Sequence, residues 1–383
     1  VLALLALAFA ARLPWLEVVT DDVAYWVVPW YEFLKANGPS ALGREFPNAG
    51  NWSPDANYTP PYYYLLYLAT LFDGWLPTVT LVKGVSTAFD LLLALAVGRV
   101  VAHCTSSPSR GWTASAATLC LPTVVANSAW WGQCDSIHTS LLVWSVHMAL
   151  TGRPVAMAAL FGAALAFKGQ ALFLAPFLAL LVVRGAVPLR STLAIPVVAV
   201  ALMLPAWVMG RPLAESLTTY ARQARMFSSL SMNAPNPWFF LAHVDFETGV
   251  RVGSAVCLAA AGVYLWRGWA SRGPLTPCRI LLAATTSAAF MPFLLPRMHD
   301  RYFFAADVLS FALAACAPRL WPIAAGFQVS SLLAYTPIIS DTLNGGAGEY
   351  RGLMPWAVAL NTVLVIALAV LFWRAASRAG APE

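Results

Sequence analysis

Long apolar runs broken by short polar punctuation set the pattern of this chain. Runs at 1–16, 78–102, 112–128, 136–151, 154–168, 169–184, 191–209, 250–267, 279–296, 302–317, 320–338 and 354–374 each approach the ~20 apolar residues a bilayer crossing needs. None alternates with period 2, so helices are the expected spanning element, about twelve in all. Two polar stretches are longer than the rest, 17–77 and 210–249. Within the first, "VAYWVVPWYEFLKANG" places Trp26, Trp30, Phe33 and Leu34 at helical spacing. After a Pro-Pro break, "YYYLLYLATLF" is too short to cross. Both are expected as interfacial helices, where Tyr and Trp are favoured.

Composition sharpens this picture. Of 383 residues, 60% are hydrophobic and 10% charged, against about 25% charged in an average soluble domain. The expected class is an all-α polytopic membrane protein. It should form one transmembrane domain over 1–374, with a cytoplasmic tail at 375–383 that reads as disordered. The chain begins with Val inside an apolar run, so residues are expected ahead of it. Six scattered cysteines form no Cys-x-x-Cys pair and no Cys/His cluster, so they read as small buried thiols.

Charge sets the orientation. With the N-terminus inside, the cytoplasmic connections carry arginines such as Arg110, Arg153, Arg184, Arg267 and Arg319, and no acid except Glu383. That is the positive-inside bias, and it explains the formal net charge of +6 without nucleic acid. Further cations, among them Arg222, Arg225, Arg297 and Arg301, fall outside, where topology does not require them.

Ionisable groups are expensive in a membrane and mark candidate sites. Lys83 and Asp90 lie seven apart on one face of the second span. Lys168 and Gln170 sit in "AFKGQALF". Gln133, Asp135 and His138 sit in and after "WWGQCDS", at another outer junction. His147, deeper in that span, reads as structural. The densest cluster is "PRMHDRYFF", with Arg297, His299, Asp300 and Arg301 within five positions. Arginine forks and an imidazole suit a phosphate; a local salt bridge to Asp300 is the plainer alternative. "SLSMNAPNPW" offers Asn233, Asn236 and Trp238, a pairing that can bind sugar hydroxyls and stack on a ring, or simply form a turn. Just behind the first span lies the acidic pair Asp21-Asp22. An Asp at a helix start can serve as an N-cap, which would explain one of the two. "DANYTPPYYY" adds Asp55, Asn57 and Tyr58 as candidate sugar or acceptor contacts, a turn being the alternative.

Carboxylates facing cations at a membrane surface suit transfer from a lipid-linked phosphate. One acid takes the proton of an acceptor hydroxyl, and the cations meet the charge of the leaving phosphate. No cluster suggests a metal, and no cofactor is called for, the lipid-phosphate donor being a substrate. A secondary transporter or a lipid-linked-sugar flippase is the alternative, although no repeat relates the two halves.

Taken in order, the acidic pair behind span one, "WWGQCDS", "FKGQALFLAPF", "SLSMNAPNPW" and "PRMHDRYFF" resemble GT-C membrane glycosyltransferases. Within these they resemble bacterial relatives of the GPI mannosyltransferase II family, over roughly residues 12–307. The resemblance implies a GT-C fold and an active site facing away from the cytoplasm, in a bacterial inner membrane with the site towards the periplasm or exterior. It implies a polyprenyl- or dolichyl-phosphate hexose donor, mannose above others, and inverting transfer to a glycan, glycolipid or protein acceptor. The base maps to Asp21 or Asp22, with Asp21 placed first because it ends the run out of span one. The donor phosphate would be met by Arg297, His299, Arg301, Lys168, Arg222 and Arg225. The sugar or acceptor would be met by Asp55, Asn57, Tyr58, Gln133, Asp135, His138, Gln170, Asn233, Asn236 and Trp238.

Overall fold

The structure is a computed structural model and describes residues 1–47, 58–226, 228–271, 273–346 and 348–377, the side chain of Arg225 excepted. Asp55, Asn57 and the Arg225 side chain, all candidate contacts, thus lie outside the described residues. So does the tail beyond 377; the last helix continues to Ser377.

Every apolar window contains helix. In chain order the helices are α1 (Leu2–Ala10), α2 (Val28–Asn37), α3 (Pro60–Thr70), α4 (Thr78–Thr105), α5 (Pro108–Leu119), α6 (Pro122–Val125), α7 (Asp135–Leu150), α8 (Pro154–Phe167), α9 (Ala175–Val183), α10 (Ala194–Ala201), α11 (Leu204–Val208), α12 (Leu213–Met226), α13 (Phe246–Ala270), α14 (Pro277–Leu294), α15 (Phe304–Cys316), α16 (Trp321–Leu343) and α17 (Met354–Ser377). Among the described residues, six helical stretches are long and apolar enough to cross a membrane on length and composition alone: Thr78–Thr105, Leu189–Val208, Phe246–Ala270, Pro277–Leu294, Pro318–Leu343 and Met354–Ser377. Leu2–Trp15, Pro154–Phe167 and Gly169–Val183 are shorter apolar helices.

Proline explains much of the segmentation. It stands at the start of α3, α5, α6, α8 and α14, where its missing N–H costs no hydrogen bond and its fixed φ suits the first turn. Thus α7 ends at Leu150, Gly152 turns with φ +67°, and Pro154 starts α8 two residues later.

The main core gathers side chains of α4, α7, α14 and α15, including Val97, Val143, Leu281, Phe304 and Leu309. In α14, 72% of the apolar window is buried, against 22% in α13. So α14 is central, and α13 presents Val252, Leu258 and Trp266 outward, as a helix facing lipid would. A second cluster joins the first outer loop to the bundle. Trp30 of α2 lies 5.4 Å, edge-on, from Tyr63 of α3, and both are buried with Leu66 and Val82. The two short helices expected in this loop are therefore present and packed on each other.

The intramembrane charges find structural partners. Asp90 pairs with Arg12 at 2.8 Å and accepts from the hydroxyls of Ser128 and Ser136. Lys83 donates to three backbone carbonyls.

Candidate active site

Two π-turns, Val23–Val27 and Ala126–Trp131, bring the acidic pair and the "WWGQ" run together. A π-turn widens the helix by one residue and re-aims the side chains around it. The second ends on Gly132, whose φ is +77°. A Cβ there would stand 2.6 Å from a methyl of Val23, so glycine is needed both for the turn and for the close approach. Beyond the turn, the Trp131 indole N–H and the Gln133 side-chain amide both donate to Oδ2 of Asp22, at 2.8 and 2.5 Å. The Asp22 side chain makes no helix-capping hydrogen bond, so the N-cap alternative does not describe it.

Behind Asp22 lies a chain of alternating charge. Arg301 stands 4.0 Å from Asp22 and 3.7 Å from Asp135, with its guanidinium 5.2 Å over the ring of Trp131. Lys168 meets the other oxygen of Asp135 at 2.5 Å and sits 5.3 Å over the Tyr58 ring. Asn127 completes the shell of Asp135 at 2.8 Å. Two carboxylates and two cations balance, and the buried members, Asp135 and Lys168, are paired, as is Arg301, which is how buried charge is tolerated. Asp300 is different. Burial pushes its carboxyl up to about 8; the Arg301 guanidinium at 3.7 Å and the Arg301 backbone N–H, which donates to it at 2.9 Å, only partly oppose this.

These groups wall a cavity of about 700 Å³. Asp21, Asp22, Tyr58, Gln133, Lys168, Gln170, Asn233, Arg297, His299 and Arg301 all line it. Two strands of two residues each close one side: β1 (Ser231–Met232) runs parallel to β2 (Met298–His299), and the Arg297 amide donates to the Leu230 carbonyl at 2.7 Å. The "SLSMN" and "PRMHD" motifs, whose paired residues are 67 positions apart, are thereby joined.

Several expectations are corrected by position. Asp135 and His138 are buried and do not line the cavity. Asp135 holds the cations from behind, and the His138 ring is turned towards it at 4.0 Å. Neither is placed to touch a sugar. Asn236 and Trp238 are also buried off the cavity. Their N–H groups reach the carbonyls of Pro292, Leu294 and Leu295, which the end of α14 leaves without helical partners. "NAPNPW" is a helix-end fastening. Arg222 is not on the cavity either. It lies seven residues, about two turns, from Glu215 and reaches that residue's carbonyl at 3.1 Å, whereas Tyr220 and Gln223 of the same helix face the cavity. Asp21, placed first as base, is exposed. Partial burial, then Asp341 and Asp22, push its carboxyl upward, and the cations lie nearer Asp22.

Glu349, Gln223 and Tyr220 also line the cavity, and none belongs to a motif singled out above. Glu349 accepts from Asn233 at 3.1 Å and pairs with Arg351 at 2.7 Å. Helical spacing from Tyr220 could have found Gln223; nothing local marks Glu349.

The helices form the polytopic membrane-protein architecture of the GT-C fold, a likeness of fold seen in a solved structure. A solved structure with which this chain shares its fold is ArnT from Cupriavidus metallidurans bound to undecaprenyl phosphate. The TM-score is 0.54 at 14% identity, covering 98% of this chain and 77% of that one. No family model matches the sequence and no curated protein does.

Proposed function

We propose that this chain is a membrane glycosyltransferase. It moves a hexose from a polyprenyl- or dolichyl-phosphate donor to an acceptor hydroxyl on the extracytoplasmic face. The observation that carries the reading is the alternating set Asp22, Arg301, Asp135 and Lys168, of which Asp22, Arg301 and Lys168 line the cavity and Asp135 backs the two cations. Asp22 has two donors on one oxygen, while Oδ1 accepts none among the described residues. That oxygen takes the acceptor proton as the acceptor oxygen bonds to the anomeric carbon. The carbon–oxygen bond to the lipid phosphate breaks, and the phosphate leaves with the electron pair. One displacement inverts the anomeric centre. Arg301 and Lys168 meet the phosphate charge, with Arg297 and His299 further along the wall, in a site whose dipoles are already set. In this reading side chains supply all the countercharge.

The shared fold with a protein solved with undecaprenyl phosphate supports a polyprenyl-phosphate donor. Mannose as the hexose, and a glycan, glycolipid or protein acceptor, rest on the resemblance of the ordered motifs. So does placement in a bacterial inner membrane with the site outward.

The test is transfer by the full chain in proteoliposomes, from polyprenyl-phosphate mannose and, separately, glucose. Asp22→Asn should lower turnover by about 10²–10⁴-fold, the range for losing a general base, with donor binding kept. Asp21→Asn should lower it less than ~5-fold by the same measure. Undiminished transfer by Asp22→Asn would remove Asp22 from the chemistry.

A further inference from the structure

Lys83 is fully buried in α4, and the chemistry above does not use it. Its ammonium donates to the carbonyls of Trp15 at 2.8 Å, Ala129 at 2.9 Å and Trp130 at 2.6 Å. An ammonium has three N–H donors, so its capacity is filled, and no carboxylate pairs with it among the described residues. A buried cation satisfied only by carbonyls is an unusual expense in a membrane, and its location suggests what it does.

The three carbonyls come from two separate segments. Trp15 ends the short turn Leu13–Trp15 that leads into Asp21 and Asp22. Ala129 and Trp130 belong to the π-turn that leads into Trp131 and Gln133, the two donors to Asp22. The last carbonyls of a helical turn, here those of Ala129 and Trp130, lack helical partners and carry partial negative charge, which an ammonium answers; the Trp15 carbonyl also accepts from the Val18 N–H at 3.2 Å. A second strap runs alongside, from the Thr20 hydroxyl to the Trp131 carbonyl at 2.9 Å. The Lys83 stem passes Gly132, where an added Cβ would come within 3.3 Å of its Cγ. Asp22 and the groups that orient it thus reach the cavity from two segments tied at one point.

We propose that Lys83 is a positioning residue: it ties the segment carrying Asp22 to the segment carrying Trp131 and Gln133, and so fixes the free Asp22 oxygen in the cavity. Its importance for turnover rests on the reading of Asp22 as the base; its effect on the Asp22 side chain does not. Two measurements keep these apart.

The first is labelling of the full chain in nanodiscs with a water-soluble carbodiimide, quantified by peptide mass spectrometry, with exposed Asp21 as internal control. Lys83→Met should raise Asp22 labelling relative to Asp21 by about fivefold to tenfold as its two hydrogen bonds loosen, and Lys83→Arg should restore much of the protection. The second is transfer kinetics with polyprenyl-phosphate mannose. Lys83→Met should lower turnover by about 30-fold or more while the donor KM stays within about twofold, as expected when orientation alone is lost. In an Asp22→Asn background it should lower turnover little further, because the two act as a unit.

Unchanged Asp22 labelling in a folded Lys83→Met protein overturns the proposal, and so does a turnover loss fully additive with Asp22→Asn. If Lys83→Met does not fold, Thr20→Val cuts the parallel strap and must shift Asp22 labelling in the same direction; no shift overturns the proposal equally. Raised labelling together with full transfer by Asp22→Asn leaves the positioning intact and removes only the base.

Discussion

Replacing Asp135 with Asn separates an anchor from a sugar contact. The change keeps the shape and one oxygen, and removes the charge. Asp135 is 2% exposed, 2.5 Å from Lys168 and 3.7 Å from Arg301. At an effective dielectric of about 20, a unit pair 2.5 Å apart attracts by about 7 kcal/mol. Desolvation takes back much of that attraction, so the better guide is the loss on removing one partner of a buried pair, about 3–5 kcal/mol. The loss arises because Lys168, 5% exposed, is left charged with no counterion beside it. The assay is thermal unfolding of the full chain in nanodiscs, run beside donor titration. Asp135→Asn should lower the midpoint by roughly 5 °C or more. Donor affinity should weaken as Lys168 and Arg301 lose their backing. A second change, Lys168→Met on top of Asp135→Asn, should recover part of the stability, because the orphaned charge goes with it. An Asp135→Asn protein that melts within about 1 °C of the parent would refute the anchor reasoning on the same scale, and altered sugar selectivity at unchanged stability would return Asp135 to the sugar.

Two other residues carry sharp expectations of their own. Asp300 has its carboxyl raised to about 8 by burial, with Arg301 opposing and Asp22 and Glu349 adding to the rise. The folded chain therefore holds a proton that the unfolded chain has released above about pH 4, so Asp300's contribution to stability declines as pH rises from about 4 to about 8 and then levels. Asp300→Asn should flatten the melting midpoint across that window and raise it relative to the parent at pH 8; a parent-like slope would refute the assignment. Gly132→Ala combines a positive φ with a Cβ 2.6 Å from Val23, and should cost about 1–3 kcal/mol in stability and lower transfer, both read on the same nanodisc sample. A neutral outcome would mean that the π-turn tolerates a different path.

Hydrophobic periodicity and proline made the helical windows legible, because both act over neighbouring residues. The twelve windows and the two short helices of the first loop could be read that way. The division of labour inside each motif could not. Asp135 and Asp22 are both acids near aromatic residues, and only the packing of α7 behind Lys168 makes one an anchor. In "NAPNPW" the donors answer carbonyls near the end of α14, more than fifty residues away. The charge of Arg222 suggests a phosphate contact, yet its place on α12 next to Glu215 decides where it points. Nothing around Arg12 in the sequence marks its role, because its partner Asp90 lies 78 residues on. The motifs read in order bring residues to one cavity, Asp21 and Asp22 both among them, and the different surroundings of those two acids depend on the two π-turns.

The short parallel pairing of β1 with β2 has a mechanical consequence. Its two strands flank the hairpin of α13 and α14, so the ends of a helical loop that crosses the bundle twice are latched together. One arm, α13, has only 22% of its apolar window buried; the latch ends two residues before Arg301. The backbone leading to Arg301 is thereby held by the segment that precedes α13 as well as by the end of α14. The position of that guanidinium against Asp22 is therefore fixed from two directions in the chain, the helical hairpin and connections between Ser231 and Met298 being closed into one ring by four backbone positions.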